Sequence, residues 1–131
     1  MSTIRVDNFG PSSGGTTYSA RGIAKAWVNF DGSGTIAARD SENLSSLTDN
    51  GTGDYTVNFS SNFNAADYVL SSAARWNSPG SEGRIVSYNN ATTVTGSAMR
   101  LVSGTPGTAG STALTKNDEV FVFCNFHGDL A

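Results

Sequence analysis

The chain has 131 residues, enough for one hydrophobic core and little material for a second. Charged residues make up 15%, against about 25% in typical soluble domains, while Ser, Thr, Asn and Gly supply 59 residues, so the expected surface is polar through hydroxyls and amides. The eight Lys and Arg are scattered with no adjacent pair and the net charge is −3, which argues against a nucleic-acid partner, since such binders concentrate basic residues on one face.

No apolar stretch approaches the ~18 residues of a membrane span, so membrane insertion is not expected. Residues 1–10 lack the basic, apolar and small-residue succession of a secretory signal, which predicts synthesis in the cytosol. Within residues 1–20, Thr3 to Phe9 reads as a possible strand, and Gly10-Pro11-Ser12-Ser13-Gly14-Gly15 reads as a joint. This predicts an extended N-terminal strap that pairs with another chain, ahead of a single domain over 21–131.

From Gly22 to Phe30, period-two alternation puts Ala24, Ala26, Val28 and Phe30 on one face and Ile23, Lys25, Trp27 and Asn29 on the other. The turn Asp31-Gly32-Ser33-Gly34 leads into Thr35 to Arg39, a strong hairpin signal because Gly accepts positive φ at little steric cost. A second hairpin follows, with arms Leu44 to Thr48 and Asp54 to Ser60 around Asp49-Asn50-Gly51-Thr52-Gly53. Tyr55, Val57 and Phe59 share one face of its second arm, the pattern of a half-buried strand.

Asn62 to Ala66 suggests one short helical turn. Further strands are expected at Tyr68 to Arg75, Arg84 to Tyr88, Thr92 to Val102 and Val120 to Phe126. The last is apolar on both faces, which places it in the middle of the core or against another subunit. Ser103 to Thr112 lacks large side chains and reads as an exposed loop. These elements predict an all-β fold, an antiparallel β-sandwich with jelly-roll character.

Catalytic signatures are weak. Cys124 is the single cysteine, so no internal disulfide can form, and its apolar strand makes it a small buried hydrophobe. His127 is the single histidine, and no Gly-x-Ser-x-Gly context accompanies it. Most acidic residues fall in turns, namely Asp31, Asp49, Asp54, Asp67, Asp118 and Glu119, where Asp side chains bond their own backbone. Asp49 to Asp54 offers oxygen ligands but lacks the spacing and closing Glu of a helical calcium loop, so a hairpin turn explains it better. No enzyme activity, metal or cofactor is expected.

Binding finds more support. Trp76-Asn77-Ser78-Pro79-Gly80 follows a strand and precedes Glu82-Gly83-Arg84. An aromatic ring beside amide and guanidinium groups can hold a sugar through stacking and paired polar contacts, which makes Trp76, Asn77, Arg84 and Tyr88 the candidate ligand-binding residues. The competing reading is that Trp76 plugs the end of a sandwich, and Trp27, in mid-strand, is structural. Four Asn-x-Ser/Thr triplets start at Asn43, Asn50, Asn58 and Asn90, and signify glycosylation only in a eukaryotic secretory setting.

The block from Ala24 through Trp27-Val28-Asn29-Phe30-Asp31-Gly32 to Thr35, followed by Ser45-Ser46-Leu47-Thr48-Asp49-Asn50-Gly51-Thr52-Gly53-Asp54-Tyr55-Thr56-Val57-Asn58-Phe59 and then Tyr68-Val69, resembles bacteriophage tail-fibre proteins. The likeness is to those of marine and cyanobacterial phages. It spans roughly Gly22 to Leu70, with a weaker match at Ile4-Arg5-Val6-Asp7. The resemblance implies a virion protein made in the host cytoplasm and carried on the tail. Such proteins are usually homotrimeric, which would have residues 1–18 attach to another virion protein and the far end contact a host-surface receptor such as a polysaccharide. No ligand residues carry over from it. A capsid-decorating or tail-assembly protein without a ligand, and a surface-polysaccharide depolymerase, are the alternatives.

Overall fold

The computed structural model describes residues 6–10, 13–19, 22–76, 83–107 and 114–131. Near the N-terminus, β1 (Asn8–Phe9) pairs antiparallel with β2 (Tyr18–Ser19), so the described part of this segment closes a short ladder on itself. Of the expected strand at Thr3 to Phe9, only these last two residues are shown as strand, and residues 3–5 lie outside the described residues.

The two hairpins form where the alternation and the glycine turns place them. β3 (Ala26–Asp31) pairs with β4 (Ala37–Glu42), and β5 (Leu44–Asp49) with β6 (Asp54–Phe59). Between the hairpins, the chain crosses from one sheet to the other at Asn43, which adopts a left-handed backbone with φ of 57°. The Asn43 side chain holds that corner, accepting a 2.6 Å hydrogen bond from the Ser61 amide and donating one of 3.0 Å to the Ser61 carbonyl.

The remaining strands are β7 (Val69–Arg75), β8 (Ile85–Tyr88), β9 (Ala98–Thr105), β10 (Thr115–Lys116) and β11 (Phe121–His127). The first large sheet has the order β4-β3-β11-β7, antiparallel throughout. In the second, β9 pairs with β6, β8 and β10, and β6 pairs with β5. Leu101 and Val102 pair with both β6 and β8, and Gly104 with both β8 and β10. So β8 runs along one edge of β9, and β6 and β10 share the other.

The inner faces of the two sheets build one core. Ala26, Val28 and Phe30 of β3 and Val122, Cys124 and Phe126 of β11 meet Tyr55, Val57 and Phe59 of β6 and Met99 and Leu101 of β9. Edge-to-face rings join the layers, with Phe30 5.2 Å from Tyr55 and Phe59 5.0 Å from Phe126, and such pairs contribute roughly 1 kcal/mol each beyond burial. Cys124 is buried here, and burial pushes its thiol up to about 12, which leaves it protonated and inert.

Four expectations are corrected. The Asn62 to Ala66 stretch is no helix: Phe63 is buried, and its amide donates to the Gly96 carbonyl at 2.8 Å rather than within a local turn. The strand expected from Thr92 begins at Ala98 and runs on to Thr105. Ser103 and Gly104 are therefore buried in β9 rather than exposed in a loop, while residues 108–113 lie outside the described residues. Their small size serves close packing, because a Cβ on Gly104 would collide with the Thr115 carbonyl of β10. Finally, Asp54, read as a turn residue, is a buried residue of β6, while Glu119 stays in the connection before β11 but is buried as well.

Candidate functional site

Both hairpin turns arrive at one end of the molecule, and the segment Asn117-Asp118-Glu119 between β10 and β11 ties them together. The Gly32 amide donates to the Glu119 carbonyl at 2.9 Å, and the Gly53 amide to Asp118 Oδ1 at 2.7 Å. The Tyr55 hydroxyl lies 2.9 Å from Asp118 Oδ1 and 3.1 Å from the Gly32 carbonyl, so its one proton serves either acceptor. Burial and the neighbouring Asp118 carboxylate hold that phenol well above its ordinary range. Ser103 completes the junction, donating its hydroxyl to the Asn117 carbonyl at 2.8 Å. Gly53 must be glycine, since it combines φ of 60° with a Cβ position blocked by Ser103 and Asn117 backbone.

This junction buries the Glu119 side chain, which is 0% exposed, and Arg84 approaches it from the start of β8. Arg84 Nη1 lies 3.6 Å from Glu119 Oε1, an ion-pair distance too long for a hydrogen bond. Among the described residues, neither carboxylate oxygen of Glu119 has a hydrogen-bond partner, and Arg84 Nε has none. Burial raises the Glu119 pKa, opposed by the Arg84 charge and reinforced by Asp118. The guanidinium of Arg84 in turn sits 5.2 Å from the centroid of Trp76, which follows the last residue of β7.

Of the residues singled out in the sequence, Trp76 and Arg84 therefore come together at the sheet end. Asn77 lies outside the described residues. Tyr88 is 52% exposed at the far end of β8, four residues and roughly 13 Å from Arg84 at strand rise. Trp76 is half-buried, so it neither plugs the core nor stands free. Trp27 is half-buried on the outer face of β3, away from the core. Glu119 was hidden from sequence reading because its partner, Arg84, lies 35 residues away and no local pattern links them.

The oxygen-rich turn from Asp49 to Asp54 is committed internally. Asp49 Oδ1 accepts from the Gly51 amide at 2.8 Å. Asp54 faces two cations, accepting from Arg100 Nε at 2.6 Å, Arg100 Nη2 at 3.1 Å and Lys116 Nζ at 2.7 Å, with Asn89 Nδ2 at 2.9 Å. Although burial opposes ionisation, these donors and charges hold the Asp54 carboxyl below its ordinary value. Asp31 accepts from the Ser33 amide and hydroxyl and pairs with Arg39 at 2.7 Å. His127 Nδ1 lies 3.2 Å from the Gly22 carbonyl.

At the other end of β11, a cleft of about 280 Å³ is lined by Phe63, Asn64, Ala65, Asp67, Tyr68 and Asp129. It is separate from the Trp76 cluster. Among the described residues, no helix is long and apolar enough to cross a membrane. Comparison with protein-family models, with curated proteins and with solved structures finds no match.

Proposed function

We propose that this chain is a non-enzymatic virion structural protein, a short phage tail fibre or fibre head that contacts glycan or protein on the host surface. In this reading the two sheets have jelly-roll character, the assembly is a homotrimer, and residues 1–18 attach it to another virion protein. The all-β architecture and the tail-fibre-like blocks, which form the two hairpins, support it.

The observation that carries the recognition role is the Trp76–Arg84 pair at the sheet end, backed by the buried Glu119. A buried carboxylate with no hydrogen bond lowers stability, and replacing such pairs with apolar residues often stabilises a fold. A stabilising alternative passed over is consistent with a site kept for the position of its half-buried partners, Arg84 and Trp76. Trp76 supplies ring area and Arg84 a planar donor fork, the pair of groups that sugar rings and their hydroxyls engage. Weak single contacts then gain strength from several copies on one particle.

The reading is tested by exposing the purified oligomer to host cells and to their isolated surface polysaccharide. Saturable binding that Trp76→Ala reduces is expected, with no shortening of the polysaccharide. Absence of binding by the native oligomer, with Trp76→Ala leaving infection unchanged, would refute the receptor role.

A further inference from the structure

The outer face of the β4-β3-β11-β7 sheet has no role in the recognition site, yet it is not built like a plain solvent face. Phe121 and Phe123 project from β11, a central strand, with rings parallel within 7° and centroids 6.1 Å apart. Phe123 is 38% exposed, and its neighbours across β7 and β3 are Ala73 and Asn29. The small Ala73 and Ser71 leave the β7 side of that ring uncovered. Asn29 adds an unmet demand, because its side-chain oxygen is buried without a hydrogen-bond partner.

Charge on this face is rooted in its margins, and both marginal arginines lean inward over Phe121, Arg39 4.3 Å and Arg75 5.5 Å from the ring centroid. Residues 121–126 of β11 and 69–74 of β7 carry no charged side chain. Arg75 closes the β7 margin, and no carboxylate among the described residues lies within ion-pair distance of it. The β4 margin carries Asp40 and Glu42, whereas its Arg39 is already paired with Asp31. The margin strands are three strand spacings apart, roughly 14 Å, and among the described residues no ion pair links Arg75 to Asp40 or Glu42.

We infer that this face packs against a second copy of the chain, with the Arg75 margin of one copy meeting the Asp40 and Glu42 margin of the next around the exposed Phe123 ring. A partner of uniform charge would match one margin and oppose the other, whereas a second copy supplies both signs. Such head-to-tail contacts close into a ring when the rotation fits. The apolar centre with a charged rim follows the ordinary composition of a subunit interface. The inference takes its partner from the self-association in the reading above and is independent of the receptor role.

The test is the mass of the full chain by light scattering and sedimentation. The wild type is expected as an oligomer, and Phe123→Glu as a folded monomer with a wild-type circular-dichroism spectrum, since Phe123 is outside the core. Arg75→Glu should weaken association about tenfold, with recovery when Glu42→Lys restores opposite signs. The charge exchange keeps the test decisive even where Phe123→Glu fails to fold. An oligomer unmoved by all of these variants would overturn this face while leaving self-association intact. A wild type that stays monomeric at its highest soluble concentration would overturn both.

Discussion

Asp54 and Glu119 are both buried acids near the same end of the molecule, yet their surroundings are opposite. Asp54 lies on the outward side of β6, 4% exposed, and receives four hydrogen-bond contacts from Arg100, Lys116 and Asn89. Glu119 lies at the junction of the turns, is fully buried, and among the described residues its side chain has one distant cation and no hydrogen bond. The first arrangement locks strands β6, β9 and β10 together. The second leaves a charge underused, and its consequence reaches the surface through Arg84 and Trp76. Burial alone does not assign a role to a carboxylate; the donors around it do.

The two acids also contribute to stability with opposite pH dependence. Asp54 has its pKa lowered from the ordinary 3.8, so the folded state binds its proton less tightly than the unfolded chain. Its contribution is present above that value and is lost as pH falls through the folded pKa. Glu119 has its pKa raised from the ordinary 4.5, so the folded state holds its proton more tightly. Ionising Glu119 as pH rises above 4.5 costs stability, which acidification restores.

The largest effect is expected at Asp54. Asp54→Asn should lower unfolding free energy by about 3 kcal/mol near neutral pH, measured by urea denaturation. It should also remove most of the wild type's loss of stability below about pH 4. An effect of a few tenths of a kcal/mol would show that Asp54 behaves as an exposed ion pair. Arg84→Met should cost about 2 kcal/mol near pH 7, tempered because Glu119 takes up a proton instead of staying charged. That cost should shrink as pH falls toward 4.5, because a protonated Glu119 no longer needs the cation; a pH-independent cost would locate the loss in packing.

Removing both partners sharpens the contrast. Arg84→Met combined with Glu119→Leu should be about 1 kcal/mol more stable than wild type, in a double-mutant cycle that is strongly non-additive. Additive losses would mean that the pair holds the fold rather than the site. The smallest effect belongs to Asp31, whose bond with Arg39 is partly exposed and whose turn contacts to Ser33 survive in an amide. Asp31→Asn should cost about 0.5 kcal/mol, and a melting shift as large as that of Asp54→Asn would erase the distinction between the exposed and buried acids.

Much of the fold was legible where its signals are local. Ala26, Val28 and Phe30 alternate with Trp27 and Asn29, and Asp31-Gly32 and Asn50-Gly51 mark tight turns, so both hairpins formed close to their expected bounds. Reading failed where a residue answers to a distant partner. Ser103 and Gly104 looked like loop because they are small, yet they are small to admit β10 and the Asn117 backbone. Phe63 looked helical in its local setting but is held by Gly96 and by the stacked ring of Tyr68 at 4.4 Å. Trp76 and Arg84 stand out by residue type, whereas nothing local betrays the burial of Glu119.

We propose that scaffold and recognition are separate, with Asp54 in the first and the Trp76–Arg84 pair in the second. That separation is tested most directly by measuring melting temperature and host-surface adsorption side by side on Asp54→Asn and Trp76→Ala. Asp54→Asn is expected to melt earlier yet adsorb like the wild type below its transition, while Trp76→Ala keeps its melting temperature and loses adsorption. Adsorption unchanged in Trp76→Ala, or lost in folded Asp54→Asn, would contradict it.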